Sequence, residues 1–265
     1  MSAKLTATYG HGTENDFVLI FDPRDEIKLT SEAIARICSR TSGVGSDGLI
    51  RIVKNNGIWF MDYRNADGSV AEMCGNGIRV MARYLVDRGH QSEGIFSILT
   101  RAGRKFLKVP KAGDISVNMG QVTQIDGEVS ASVNGNEFRG FNIDVGNPHA
   151  VVFASSVDDV GSLAKAPVVE PEDEYPDGVN VEFVEFLGNG ELKMRVHERG
   201  SGETRSCGTG TCAVALAASI KEGKRPPVSW VIHAPGGRLV VDIDGHYNAT
   251  LTGPALLVRD FEIEI

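Results

Sequence analysis

The chain has 265 residues, 42% of them hydrophobic and 23% charged, with a formal net charge of −8, so it can bury a sizeable core as one large domain or two smaller ones. The acidic balance, with no long lysine/arginine run, gives no electrostatic footprint for nucleic acid. Met1-Ser2-Ala3-Lys4-Leu5-Thr6 lacks a signal-like apolar stretch, and no segment approaches the ~18 apolar residues of a membrane span, so no membrane association is expected and the cytoplasm is the default location.

In chain order, Phe17–Phe21 reads as a strand, and Thr30-Ser31-Glu32 opens a helix reaching about Arg40. Leu49–Val53 and Ile58–Arg64 form a hairpin across Asn55-Asn56-Gly57. A helix over Gly75–Asp87 ends near Gly89. The second half runs alike: a strand over Val151–Phe153, then Val181–Phe186 and Leu192–His197 joined through Gly188-Asn189-Gly190, then a helix over Gly208–Ile220 ending near Gly223. From Cys207 to Ile220 no residue is charged, and Ala213–Ala218 is apolar all round, the pattern of a buried helix.

This likeness is an internal repeat. A shift of 133 residues (207 − 74) brings Cys74 onto Cys207, Gly75 onto Gly208, Gly77 onto Gly210 and Ala82 onto Ala215. The same register pairs Met61 with Met194, Gly45 with Gly178, Gly103 with Gly236 and Gly120 with Gly253. A one-residue adjustment lays Asn15–Phe21 over Asn147–Phe153. The chain therefore reads as two homologous domains, 1–118 and 119–254, with a strand in 255–265 able to return to the first. The fold class is α+β (α/β mixed): each half is a curved mixed or antiparallel, barrel-like sheet wrapped around a central buried helix.

The four cysteines, Cys38, Cys74, Cys207 and Cys212, show no paired C-x-x-C spacing, so no structural zinc or other metal is expected, and reduced thiols are. Cys38 and Cys212 lie in apolar helical stretches and read as core residues. Met73-Cys74-Gly75-Asn76-Gly77 and Ser206-Cys207-Gly208-Thr209-Gly210 are different. Glycines in a first helical turn leave backbone N–H groups open, and with the helix dipole these cradle a carboxylate or phosphate. The same field stabilises a thiolate, and such thiols can fall from about 8.5 to roughly 3.5–7.5. One such turn is ordinarily just a buried cysteine on a glycine-rich helix start. Two in matching places suggest inversion of a carbon centre, one group removing the Cα proton and the other supplying a proton from the opposite face. The substrate carboxylate, held by fixed N–H donors, takes up the developing charge, so no carbonyl cofactor is required. That chemistry predicts helix starts facing each other across a cleft.

At these turns the sequence resembles the diaminopimelate epimerases along its length. The matching segments are Asn15-Asp16-Phe17, Gly43-Val44-Gly45-Ser46-Asp47-Gly48, Asn65-Ala66-Asp67-Gly68-Ser69, the first cysteine turn, Gly146-Asn147-Pro148-His149, Val179-Asn180, and Glu198–Thr204 running into the second cysteine turn. The resemblance implies cofactor-independent interconversion of LL- and meso-2,6-diaminopimelate, on the route to lysine and cell-wall precursors. It implies Cys74 and Cys207 as the acid/base pair and the backbone of Gly75, Asn76, Gly208 and Thr209 as the carboxylate cradle. It implies Asn15, Asn65, Asn147, Asn180, Glu198 and Arg199 as substrate-binding residues, His149 and Glu198 as groups tuning the thiols, and a homodimer. One departure is plain: Gly48 stands where many members have a substrate-touching glutamine, leaving that contact to water.

The residue types suit a zwitterionic distal end: asparagine amides donate and accept, Glu198 suits an ammonium, and Arg199 grips a carboxylate bidentately. Asparagines also favour turns, Glu198-Arg199 also fits an exposed ion pair, and His149 before an apolar strand also fits a packed core histidine. His11, His197 and His233 have no metal-like spacing. The rivals are a proline- or hydroxyproline-type racemase, whose substrate lacks a distal charged end, a phenazine-pathway type isomerase, which lacks the paired cysteines, and a non-catalytic anion-binding protein needing neither thiol. Two sulfurs flanking one carbon also predict that oxidation links Cys74 to Cys207 across the roughly 4.4–6.8 Å between Cα atoms that a disulfide accepts.

Overall fold

The structure, a computed structural model, describes residues 4–264. It divides into two compact units, one running to Val117 and taking back the segment from Gly253, the other spanning Asn118–Thr252.

The first unit contains β1 (Lys4–Gly12), β2 (Asn15–Phe21), α1 (Ser31–Cys38), β3 (Gly48–Asn55), β4 (Ile58–Asn65), α2 (Gly75–Asp87), β5 (Gly94–Thr100) and β6 (Gly103–Val109). Strand β2 pairs in parallel with β3, Phe17 opposite Gly48, with α1 as the crossover. Thr30 Oγ1 caps α1 by accepting from Ala33. The helix stops at Cys38, short of the expected Arg40, because Ser39 turns extended and its hydroxyl accepts the N–H of Ser42. The β3–β4 hairpin turns through Asn56 (φ 48°) and Gly57 (φ 81°), the left-handed pair that a type I′ turn needs. Strand β4 then pairs in parallel with β5, Phe60 opposite Leu99, and α2 makes that crossover.

The second unit repeats this order. After β7 (Ile115–Gln121), which straddles the division, come β8 (Thr123–Val133), β9 (Asn136–Asp144), β10 (Pro148–Phe153), β11 (Val168–Glu170), β12 (Asn180–Gly188), β13 (Glu191–Glu198) and β14 (Gly202–Thr204). The helix α2 has its counterpart in α3 (Gly208–Lys221), followed by β15 (Val228–Ala234), β16 (Gly237–Ile243) and β17 (Asn248–Gly253). Strand β10 pairs in parallel with β12, His149 opposite Asn180, as β2 does with β3. The β12–β13 hairpin turns through Asn189 (φ 52°) and Gly190 (φ 78°), and α3 carries the parallel crossover from β13 to β15. The last strand, β18 (Leu256–Glu264), belongs to the first unit and lies antiparallel to β1 from Lys4↔Glu264 onward.

The strands of each unit pack around one helix. Strands β1, β2, β3, β6 and β18 contact α2, and β8, β9, β10, β12, β15 and β16 contact α3. From Cys212 through Ser219 every residue of α3 is buried, as its uncharged sequence requires. Burial of α2 includes two arginines, whose guanidinium groups are taken up by carbonyls: Arg79 donates to Gly75, and Arg83 to Pro110, Lys111 and Gly113. Both helices end identically. Gly89 (φ 71°) and Gly223 (φ 66°) follow the C-caps, and His90 and Lys224 donate back to Leu85 and Ser219, closing the last turn. No helix among the described residues is long and apolar enough to cross a membrane.

Candidate active site

Both cysteines occupy the N-cap, the half-in residue at the start of a helix. Cys74 is extended (φ −135°, ψ 121°), and its sulfur accepts the N–H of Gly77 at 3.4 Å. Cys207 is extended likewise (φ −121°, ψ 120°), and its sulfur accepts from Gly210 at 3.4 Å. Each sulfur thus does the work of a capping serine or aspartate oxygen. The N–H groups of the first turn, at Gly75 and Asn76 and at Gly208 and Thr209, are those an α-helix leaves without intrahelical acceptors.

In the first unit, the Cys74 thiol donates to Asn15 Oδ1 at 3.4 Å, and Asn76 Nδ2 reaches the same oxygen at 3.2 Å. The amide of Asn15 is oriented from behind, since its Nδ2 donates to Asp47 Oδ2 at 2.7 Å. Arg40 grips Asp47 at 2.7 Å and Asp16 at 2.8 and 3.0 Å, and Tyr9 donates to Asp16. Burial opposes ionisation of Asp16, but hydrogen bonds from Arg40, Tyr9 and the Asp47 backbone outweigh it and hold this carboxyl below the usual range. Burial and the bond to Asp16 push the Tyr9 phenol up to about 12. Asn65 makes no such approach. Its Nδ2 donates to Ser69 Oγ at 3.0 Å, holding the turn after β4.

In the second unit, Cys207 lies against Thr209 Oγ1 at 3.5 Å and hydrogen-bonds Glu198, whose carboxylate also accepts from Thr204 Oγ1. Asn147 Nδ2 reaches Thr209 Oγ1 at 3.5 Å, and Asn147 Oδ1 lies 3.1 Å from His149 Nε2. His149 is fully buried, and its other nitrogen meets Glu182 Oε1 at 2.7 Å. Burial first, then the neighbouring Glu198 and Glu182, push the Cys207 thiol well above its ordinary value, against hydrogen bonds from Thr209 and Gly210. The helix-start expectation of an easily ionised thiol is therefore reversed here, because desolvation and like charge exceed the field of a single helix end. Burial likewise raises Glu198, although Thr204 and Cys207 stabilise its charged form.

The remaining expected residues lie at strand ends. Asn180 ties β10 to β13, donating to the Pro148 carbonyl at 3.1 Å and accepting from Arg199 N at 3.0 Å. Arg199 Nη1 reaches the carbonyls of Asp177 and Gly178 at 3.4 and 3.5 Å. At Gly48 a Cβ would stand 2.5 Å from the Arg64 carbonyl and 2.7 Å from the Tyr63 ring, so a glutamine has no room there. Cys38 and Cys212 are buried, and none of the four cysteines is in a disulfide. Glu182 is the residue that sequence reasoning missed. It stands in the strand-like run Val181–Phe186, where no local pattern marks a glutamate as buried, yet its side chain is fully buried against His149.

The diaminopimelate epimerase family model matches residues 7–125 and 141–258. Diaminopimelate epimerase of Streptomyces coelicolor is 45% identical over 280 aligned positions, covering 100% of this chain and 97% of that protein. Its counterpart from Corynebacterium glutamicum is 41% identical, with 100% of both chains covered. Among solved structures, a Bacillus anthracis phenazine biosynthesis protein of the PhzF family has a TM-score of 0.77 at 16% identity, covering 99% of this chain and 100% of that one. An Agrobacterium vitis hydroxyproline epimerase with bound trans-4-hydroxy-L-proline has a TM-score of 0.73 at 15% identity, covering 99% and 93%. These two likenesses show a shared fold.

Proposed function

Since the chain belongs to the diaminopimelate epimerase family, we propose that it is an isomerase interconverting LL- and meso-2,6-diaminopimelate, without pyridoxal phosphate, through Cys74 and Cys207. The observation that carries the two-thiol mechanism is the repeated cap. In each unit a cysteine sulfur sits at the start of a buried helix, beside the first-turn N–H groups at the positive end of the helix dipole.

In this reading the reacting α-carboxylate binds the N–H groups of Gly75, Asn76, Gly208 and Thr209. One sulfur takes the Cα proton, charge flows into the bound carboxylate, and the other sulfur returns a proton to the opposite face. The donors are in place before charge develops, which is the condition for large electrostatic stabilisation. Burial and the neighbouring carboxylates raise the Cys207 thiol, so it is the one suited to give a proton. Asn15 orients Cys74, and Glu198 and His149 tune Cys207. Asn65, Asn147, Asn180, Glu198 and Arg199 hold the distal amino-acid end, for which Arg199 supplies a carboxylate-binding guanidinium. Work in the cytoplasm as a homodimer, in lysine and cell-wall precursor synthesis, completes the proposal.

The test is incubation with LL-diaminopimelate in heavy water without added cofactor. Deuterium at a single Cα of the meso product is expected, with proline left unexchanged. No exchange into diaminopimelate, or exchange into proline instead, would sink the reading.

A further inference from the structure

The two units fill one equivalent position with opposite chemistry. The parallel pairs Phe17↔Gly48 and His149↔Asn180 superpose the strands, and two residues further along Ile50 matches Glu182 (149 − 17 and 182 − 50 are both 132). Beneath the first helix, a Cβ on Gly77 would meet Met61 Cε at 2.9 Å, Ile50 Cδ1 at 3.0 Å and Phe17 Cε1 at 3.3 Å. Beneath the second, a Cβ on Gly210 would collide with Glu182 Oε1, the oxygen that also bonds His149. The fold is thus satisfied by a phenylalanine and an isoleucine here. The second unit instead buries an ionisable pair, both side chains 0% exposed, and leaves Glu182 Oε2 without a hydrogen-bond partner among the described residues. An unpartnered buried carboxylate oxygen costs stability, so packing does not account for it.

Hydrogen bonds orient the ring. Asn147 turns its Nδ2 toward Thr209, leaving Oδ1 to face His149 Nε2, so Nε2 is the donor there. The other ring nitrogen, Nδ1, faces Glu182 Oε1, so the imidazole is held from both sides.

We infer that Glu182 is a positioning residue of the second thiol: it fixes the His149 ring, and through it the Asn147 amide, against the start of α3, and it governs the charge state of Cys207. This rests on the two-thiol reading above. The titratable groups around Cys207 come from three strands: Glu198 on β13, Glu182 on β12 and His149 on β10. Among these, Glu182 bonds the His149 ring and lies where a Cβ on Gly210 would collide. Its negative charge keeps the thiol protonated, and a thiol that has already lost its proton has none to give.

The test is Glu182→Gln, which keeps the shape and removes the charge. The Cys207 ionisation midpoint, followed by its 13Cβ resonance, is expected to fall by about one pH unit. Turnover should drop on the order of 10²-fold in kcat with KM little changed. A Cys207 midpoint equal to the wild type overturns the inference. So does a folded His149→Phe/Glu182→Ile variant, carrying the first unit's own pair, with wild-type kcat; this variant also serves if E182Q does not fold. The titration needs no turnover, so a wild-type chain that failed to exchange deuterium would sink the epimerase reading and still leave the Glu182 result readable.

Discussion

The two cysteine turns share backbone geometry and differ in what surrounds them. Cys74 is half-buried, and its sulfur meets an asparagine amide braced by the Asp47–Arg40–Asp16 ion network. Cys207 is buried among Glu198, Glu182 and His149. One repeat unit thus yields a thiol oriented by a neutral amide and another governed by neighbouring charge. A duplicated cap fixes where a sulfur sits; the residues that differ between copies fix when it holds a proton.

The largest effects should come from the thiols themselves. Cys74→Ala and Cys207→Ala are each expected to lower kcat by roughly 10³-fold, as loss of a general acid or base does. A variant keeping a tenth of wild-type kcat in the heavy-water assay would break the two-thiol symmetry. Next comes the layer beneath the helices. Gly210→Ala drives a methyl into a hydrogen-bonded carboxylate, whereas Gly77→Ala meets the ends of Met61 and Ile50, which can turn aside. Urea melts should place the first cost at about 3 kcal/mol and the second near 1 kcal/mol. Equal costs would deny that the two layers differ.

The smallest effect is alkaline. Above the ordinary thiol value of about 8.5 the unfolded chain releases the Cys207 proton while the folded chain retains it, so stability falls as pH rises, by at most about 1.4 kcal/mol per unit. Below that pH the contribution is fully present. Cys207→Ala should flatten this part of the stability–pH curve, and a variant whose curve follows the wild type would show that the thiol is not raised.

The helices, the two hairpin turns and the repeat were legible because glycine, asparagine and uninterrupted apolar runs state their geometry locally. Helix α2 has the bounds expected, and α3 extends one residue further. Strands such as β8 were not, since its first half, Thr123–Glu128, is exposed and bulged between Ile125 and Glu128, leaving no clean alternation. Candidate site residues were legible as types at spacings, not as contacts. Asn15 and Asn65 look alike in sequence, yet one faces a thiol and the other holds a turn. Arg40 and Asp47 belong to the Asn15 support only through the crossover after β2, which no local pattern announces.

The return of β18 to β1 bears on biogenesis. The second unit is one uninterrupted stretch, Asn118–Thr252, while in the first β1 has β2 on one side and lacks its other neighbour, β18, until residues 256–264 emerge. On the ribosome, where domains fold as units, the half made later can close first, and the half made earlier waits with an unpaired edge. Removing the final strand is therefore expected to strand the N-terminal half as an aggregation-prone nascent species while the other half completes its own sheet.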